Sequence, residues 1–444
     1  MTVLGMLQTL NRYYQTHKTR IYRLSVEGGW VIAGQVASVI GALVLVRVLT
    51  EHLDSAQYGQ LALGLTVAGF VNQVVMGGIA NGIGRYYSIA AEKKELSCYL
   101  HATRELLVYA TAVVVVIGLV LTASLYWIGY PQWISLAVAA LLLAVLNGYN
   151  STLNGIQNAA RQRAIVAFNG GLDAWLKILL AIGAMLWLGT SSTAVIIGYI
   201  CSSLVITFTQ IIFLRRAIPK QHHTRFNCQQ WMSQIWAYSL PFTTWGAFTW
   251  LQQISDRWAL KIFASTSDVG QYAVLFQLGF TPTTLITGMS ISLLAPILYQ
   301  RSGNATDESR NAYVHRIGWR IAKFSFIVTL LVFVITYTMH DWLFGMLVAP
   351  KYRENSHLLP WVVLAGGIFA AGQILALKLM SEMRPAAMTT PKIATALLGA
   401  LLNAIGAALG GLHGVVWAMV CFSSIYFIWM AILANRIDSK ATEI

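Results

Sequence analysis

Residues 50–65 read "TEHLDSAQYGQLALGL", and residues 261–278 read "KIFASTSDVGQYAVLFQL". Each segment leaves a long apolar run, passes a short polar turn and enters another apolar run. Placing Gly59-Gln60-Leu61-Ala62 on Gly270-Gln271-Tyr272-Ala273 gives an offset of 211 residues, close to half of the 444. The chain therefore reads as two copies of one unit. Working outward, the composition says what solvates it: 57% of the residues are hydrophobic and 10% charged, with mean hydropathy +0.62. Soluble domains carry about 25% charged residues, so this is an integral membrane protein.

A spanning helix needs about 20 mostly apolar residues. Twelve stretches qualify: 26–48, 59–82, 105–127, 132–156, 165–188, 193–214, 235–260, 270–298, 318–339, 358–380, 386–409 and 412–434. Lys and Arg orient them, because short cytoplasmic segments concentrate these residues. With both termini inside, 24 of the 30 fall on the cytoplasmic side, and only Lys261, Lys351 and Arg353 fall outside. The formal charge of +14 is thus explained by topology, and nucleic acid is not an expected partner. The expected layout is a cytoplasmic segment 1–25, a first lobe 26–214, a cytoplasmic linker 215–234, a second lobe 235–434 and a cytoplasmic tail 435–444. Six spans per half make the repeats parallel, and transporters built this way bind substrate where the halves meet. Cys98, Cys201, Cys228 and Cys421 form no close pair, so neither a metal site nor a disulfide is expected.

The chain resembles the oligosaccharidyl-lipid (O-antigen/polysaccharide, Wzx-type) flippases of the MATE-like (MOP) transporter superfamily. The resemblance is carried by "VRVLTEHLDSAQYGQLALGL" (46–65), "GGIANGIGRYYS" (77–88), "LNGIQNAARQRAIVAFNGG" (153–171) and "DRWALKIFASTSDVGQYAVLFQL" (256–278). Arg47, Leu49, Tyr58 and Gly59 fit the family's outer turn, as do Val269, Gly270 and Tyr272. The resemblance implies an all-α bundle of twelve transmembrane helices, two six-helix lobes set in a V around a cavity. It implies a bacterial cytoplasmic (inner) membrane protein that moves an undecaprenyl-diphosphate-linked oligosaccharide to the outer leaflet, for lipopolysaccharide O-antigen or another surface polysaccharide. Its partners would be that glycan, membrane lipids and other polysaccharide-assembly proteins; no cofactor is expected. Lipid II flippases of the superfamily usually carry two further spans, not found here. Multidrug members often carry an acidic residue in span 1, where this chain has only Glu27, at the cytoplasmic edge.

Charges inside spans cost about 2.5–3.5 kcal/mol each at mid-helix, so they mark candidate sites. Asp256 and Arg257 are adjacent in span 7; side chains at i,i+1 do not face each other, and no local salt bridge is expected. Either both face a wet cavity, or Arg257 anchors the outer interface. Arg47, at the outer end of span 1, is either an interfacial anchor or a second guanidinium at the cavity mouth, where Arg binds a diphosphate bidentately. Asp173 and Lys177, at i,i+4 in span 5, are a self-neutralised helix glue or a cavity pair in which Lys177 meets the diphosphate. Asn147, Asn150, Asn154 and Gln157 form one helical stripe, suited to sugar hydroxyls and equally to interhelical hydrogen bonds. Arg85 and Lys378, at cytoplasmic helix ends, are topology markers or a vestibule that collects the anionic headgroup. Asp173, Asp256 or Glu382 would serve as the carboxylate if transport is coupled to a proton or sodium gradient.

Three rival readings remain. A multidrug/cation antiporter would want an acidic cavity, whereas the in-span set is Arg47, Lys177 and Arg257 against Asp173 and Asp256. An enzyme would need an outer catalytic loop, and the longest outer loop is about 340–357. A scaffold would not require charges deep in its spans.

Overall fold

The computed structural model describes residues 29–30, 32–160, 162–217, 228–302, 308–381 and 389–439. It is a helical membrane protein. The helices are α1 (Ile32–His52), α2 (Ser55–Phe70), α3 (Gly77–Glu92), α4 (Leu96–Trp127), α5 (Ile134–Ala159), α6 (Arg163–Leu188) and α7 (Ser192–Ala217) in the first half. The second half has α8 (Cys228–Phe263), α9 (Thr266–Ser302), α10 (Glu308–Leu347), α11 (Leu359–Ser381) and α12 (Thr389–Ser439). Helix α2 runs into α3 through a π-helical turn, Val71–Met76, so the two make one crossing. Helix α12 has 51 residues, about 75 Å at 1.5 Å per residue, far beyond the roughly 30 Å hydrocarbon core. It folds in two at Gly411, whose φ of 52° is the left-handed conformation that glycine permits. Backbone meets backbone at Gly406 and Gly414, where a Cβ on either would overlap the other's carbonyl oxygen.

Among the described residues nine stretches are long and apolar enough to cross a membrane. The two arms of α12 lie within one of them, and α8 and α9 are not among them. Counting both arms and adding α8 and α9 gives the twelve crossings that the sequence predicts. Helix α8 is interrupted by Gln252, Gln253, Asp256 and Arg257, and α9 carries Thr281, Thr283, Thr284 and Thr287. Their polarity marks the interior of the bundle.

The turns sort to two ends. Ser192 N–H donates to Gln57 Oε1, Ser55 and Ser267 share a hydrogen bond, Ala349 N–H donates to Thr50 Oγ1, and His357 meets His413. These contacts, with Lys261 over the Trp133 ring, collect the six turns that the charge distribution assigns to the outside. That end is called outer below, and the opposite end inner.

The repeat becomes geometry at the outer end. Asp54 caps α2 by accepting from Gln57 N–H at 2.7 Å. Its mate 211 residues on, Ser265, caps α9 by accepting from Asp268 N–H at 3.0 Å. Helices α2 and α9 then cross at the matched glycines. A Cβ on Gly59 would overlap Thr266 O, and a Cβ on Gly270 would overlap Ser55 O, two contacts related by the same offset.

Burial shows where the halves join. One buried cluster unites outer residues of both, including Val46, Leu53 and Tyr58 with Val269, Tyr272 and Tyr352. Towards the inner end the core divides. One cluster holds the first half and the start of α8, with Ile83, Tyr99, Trp231 and Ile235; another holds only second-half residues, such as Ala322, Leu375 and Tyr426. A shared core at one end and separate cores at the other make the V.

One expectation fails here. Cys98 and Cys228 form a disulfide, with Cα atoms 4.9 Å apart. They are 130 residues apart in sequence, and only the packing of α8 on α4 brings them together. Helix α8 also begins at Cys228, inside the segment read as linker, of which residues 218–227 lie outside the described set.

Candidate functional site

Asp256 and Arg257 come from the outer half of α8, between the two lobes. Asp256 is buried, and its Oδ2 accepts from Tyr272 Oη at 2.6 Å. Its Oδ1 accepts from the Arg257 backbone N–H at 2.6 Å and lies 3.7 Å from Arg257 Nη1. This corrects the expectation that the neighbours make no salt bridge. The Cα–Cβ bonds do diverge, but the carboxylate folds back over the next peptide while the long guanidinium swings round to meet it. Arg257 Nη1 also donates to Gln253 O at 3.0 Å, and the guanidinium lies 4.6 Å from the centre of the Phe276 ring. A guanidinium has five N–H donors; its backbone bond and ion contact leave most of them available.

Those donors point into space. A cavity of about 530 Å³ on the second-lobe side is lined by Gln252, Asp256, Thr284, Lys392 and Asn403, among others. A second, of about 400 Å³ on the first-lobe side, is lined by Thr66, Gln73, Asn147, Lys177, Tyr199 and Gln277. Gln253 and Arg257 line both. Both volumes lie in the range of ligand sites, roughly 300–1,000 Å³. Gln253 joins the lobes as well: Gln73 Nε2, on the π-helical turn, donates to its Oε1 at 2.7 Å. A π-turn inside an α-helix often marks a functional site, and here it carries Gln73.

Lys177 lines the same cavity as Arg257. Its Nζ lies 2.6 Å from Asp173 Oδ2, and Asp173 Oδ1 accepts from Ser202 Oγ at 2.8 Å. The pair thus ties α6 to α7 and presents a cation to the cavity, so the two readings of it are compatible. Arg47 lines neither cavity. Its Nη1 donates to Val348 O at 2.6 Å and its Nε lies 3.9 Å from Glu51, placing it in the outer contact between the halves.

The amide stripe has partners that sequence reading did not name. Asn150 Nδ2 donates to Ser203 O and its Oδ1 accepts from Thr207 Oγ1; Asn154 Oδ1 accepts from Gln210 Nε2; Gln157 Nε2 donates to Gln210 O. These three side chains are committed to α7. Asn147 accepts from Ser203 Oγ and also lines the first-lobe cavity, so of the four it alone is placed to meet a ligand. The missed signal was the matching stripe Ser203, Thr207, Gln210, at steps of four and three. Substituting Asn150 with alanine removes both amide partners from a buried ladder. An unsatisfied buried group costs about 1–3 kcal/mol, so Asn150→Ala should lower the melting temperature in detergent. Substrate binding by the folded variant should match wild type; weakened binding would return the stripe to the site.

Arg85 is exposed on the inner part of α3. Lys378 lies within α11, and Glu382 lies outside the described residues. Lys392, which falls within the 386–409 span and which sequence reading does not single out, sits in the first turn of α12 and lines the second-lobe cavity. Among the described residues no group of three His, Cys, Asp or Glu could hold a metal ion.

The site is therefore a pair of adjacent cavities that share Gln253 and Arg257 as a common wall, with Lys177 lining one and Lys392 the other. A family profile described as polysaccharide biosynthesis protein matches residues 26–302. No curated protein sequence matches the chain significantly. Solved structures resemble it over nearly its whole length. A multidrug resistance MATE family transporter of the MOP superfamily, in an inward-facing conformation, has 13% identity, 92% of this chain and 96% of that one covered, and TM-score 0.71. The lipid II flippase MurJ, in an inward closed conformation, has 11% identity, 92% and 87% covered, and TM-score 0.68. A mutant of the Vibrio cholerae MATE transporter VcmN has 16% identity, 93% and 97% covered, and TM-score 0.60.

Proposed function

This chain belongs to the polysaccharide biosynthesis protein family, and on that premise we propose that it flips a lipid-linked glycan across the bacterial inner membrane, both termini being cytoplasmic. The substrate is an oligosaccharide on undecaprenyl diphosphate, carried from the cytoplasmic to the outer leaflet by alternating access. No bond of the substrate is made or broken. Placement of Arg257 in the wall common to both cavities, with Lys177 lining one of them, carries the reading. A diphosphate needs charge-assisted donors, and a guanidinium supplies a planar set of them. The side-chain amides of Gln73, Asn147, Gln253 and Asn403 supply partners for sugar hydroxyls. The polyprenyl tail stays in the bilayer.

One observation favours a second reading, a multidrug/cation antiporter: Asp256 is a buried carboxylate lining a cavity. Its oxygens are already engaged by Tyr272 and Arg257, which weighs against a cationic drug as their partner. Ion coupling through Asp173, Asp256 or Glu382 is part of the proposal.

Reconstitution tests both. Purified protein is placed in vesicles with a fluorescent undecaprenyl-diphosphate oligosaccharide, and a membrane-impermeant quencher reads the exposed fraction. Flipping should raise that fraction above the level of empty vesicles, and an imposed proton or sodium gradient should change its rate. A fraction equal to that of empty vesicles contradicts transport of this substrate; a rate indifferent to both gradients rules out ion coupling.

A further inference from the structure

The disulfide lies where the two halves meet at the inner end. Cys98 is in the first turn of α4, and Cys228 is the first residue of α8. The surroundings bind the start of α8 to the first half. Trp231 Nε1 donates to Glu95 Oε2 at 2.8 Å, Lys93 Nζ lies 5.7 Å from the Trp231 ring, and that ring packs edge-on against Tyr86 and Tyr99. Further out, Ser255 of the same helix accepts from Asn403 of α12, in the second half. The bond therefore crosses the boundary between the halves. Under the 211-residue offset the equivalents of Cys98 and Cys228 are Ser309 and His17, so the other half repeats no such bond.

Both cysteines fall in segments rich in Lys and Arg, 85–104 and 215–234, which the charge distribution assigns to the cytoplasm. Thiols there are kept reduced, and cytosolic disulfides are mostly transient or redox-sensing. We propose that Cys98 and Cys228 form a redox-responsive staple: oxidised, it ties the start of α8 to α4 and restricts the inner ends; reduced, it lets them separate. The proposal concerns regulation and does not depend on which substrate is carried.

The chemistry is thiol–disulfide exchange with a low-molecular-weight disulfide such as glutathione disulfide. Cys98 is buried, whereas Cys228 is half-buried and open to attack. The Cys228 thiolate attacks the external disulfide, forming a mixed disulfide and releasing one glutathione thiolate. The Cys98 thiolate then attacks the Cys228 sulfur and releases the second. Two electrons pass to the external disulfide, and the two thiol protons end on the released glutathione. Excess reduced glutathione reverses both steps.

The native chain supplies its own probes. Cys201 on α7 and Cys421 on α12 are free and exposed, one in each half. With the staple oxidised they alone are free thiols. Lying mid-span, they are labelled in detergent with a small membrane-permeant nitroxide joined by a thioether, which later reduction leaves in place. Free thiols are counted after denaturation in SDS, and pulsed dipolar spectroscopy in lipid nanodiscs reads the distance between halves. The proposal expects two alkylatable thiols under glutathione disulfide and four under glutathione. It expects a narrow distance distribution in the oxidised protein, and a broader or second population in Cys98→Ser/Cys228→Ser. Reducing the already labelled wild-type protein and capping the new thiols should reproduce that population without any substitution. Four reactive thiols at every glutathione ratio would overturn the proposal. So would identical distributions in oxidised and reduced wild-type protein.

Discussion

Gly59→Leu should hold the outer ends of the lobes apart and stop transport. A Cβ at Gly59 already overlaps the Thr266 carbonyl, which is backbone and cannot rotate away, so the crossing of α2 and α9 must open. Overpacking costs about 1–3 kcal/mol. At 1.4 kcal/mol per tenfold, that cost lowers the population closed at the outer end by roughly five- to 150-fold. Gly270→Leu should do the same, because its overlap with Ser55 O is the repeat-related contact. The nitroxide pair on Cys201 and Cys421 reads the result as a shift toward a state opened outside. Ala102→Leu would crowd the inner first-half core, away from the α2–α9 crossing, and makes the comparison. Unchanged distances and transport in both glycine variants would mean that the crossing does not act as the outer gate.

Arg257→Ala should be the most damaging change within the cavity. It removes the group that lines both chambers and leaves Asp256 buried with Tyr272 as its remaining side-chain donor. A hydrogen bond to a charged group contributes about 1.5–3 kcal/mol, so affinity for a diphosphate should fall roughly ten- to 150-fold. Arg257→Lys keeps the charge but loses the planar fork and should fall between the two. Asp256→Asn in the alanine background removes the orphaned charge. If that double variant recovers stability but not diphosphate binding, Arg257 is a ligand group and not only a partner for Asp256. Recovery of binding would assign it the structural role alone.

The parts of the fold that depend on periodicity were legible before any coordinates. Apolar runs gave the twelve crossings, and Gly59 and Gly270 gave an offset that reappears as a contact between backbones. What sequence could not supply was pairing between distant segments. Asn150, Asn154 and Gln157 make one visible stripe, but whether a stripe meets sugar or another helix depends on what lies opposite, and Ser203, Thr207 and Gln210 lie there. Cys98 and Cys228 are linked by the same tertiary packing. Arg47 reads from sequence as an interfacial anchor or a cavity-mouth cation, yet its guanidinium is spent on Val348 O, a backbone acceptor with no sequence signature. Lys392 lies near the start of α12, where Pro391 fits the first helical turn, and only the packing of that helix turns it towards the second-lobe cavity.

The central claim is that an anionic, lipid-linked glycan passes Arg257. Mass spectrometry of undecaprenyl-diphosphate glycans in the host tests it most directly, comparing wild type, a deletion and the deletion complemented with Arg257→Ala or Lys177→Ala. Accumulation of a completed glycan unit in the deletion, and in cells carrying the Arg257→Ala protein at normal abundance, is the predicted result. Unchanged lipid-linked glycans in the deletion, together with new sensitivity to cationic drugs, would contradict flipping and favour the antiporter.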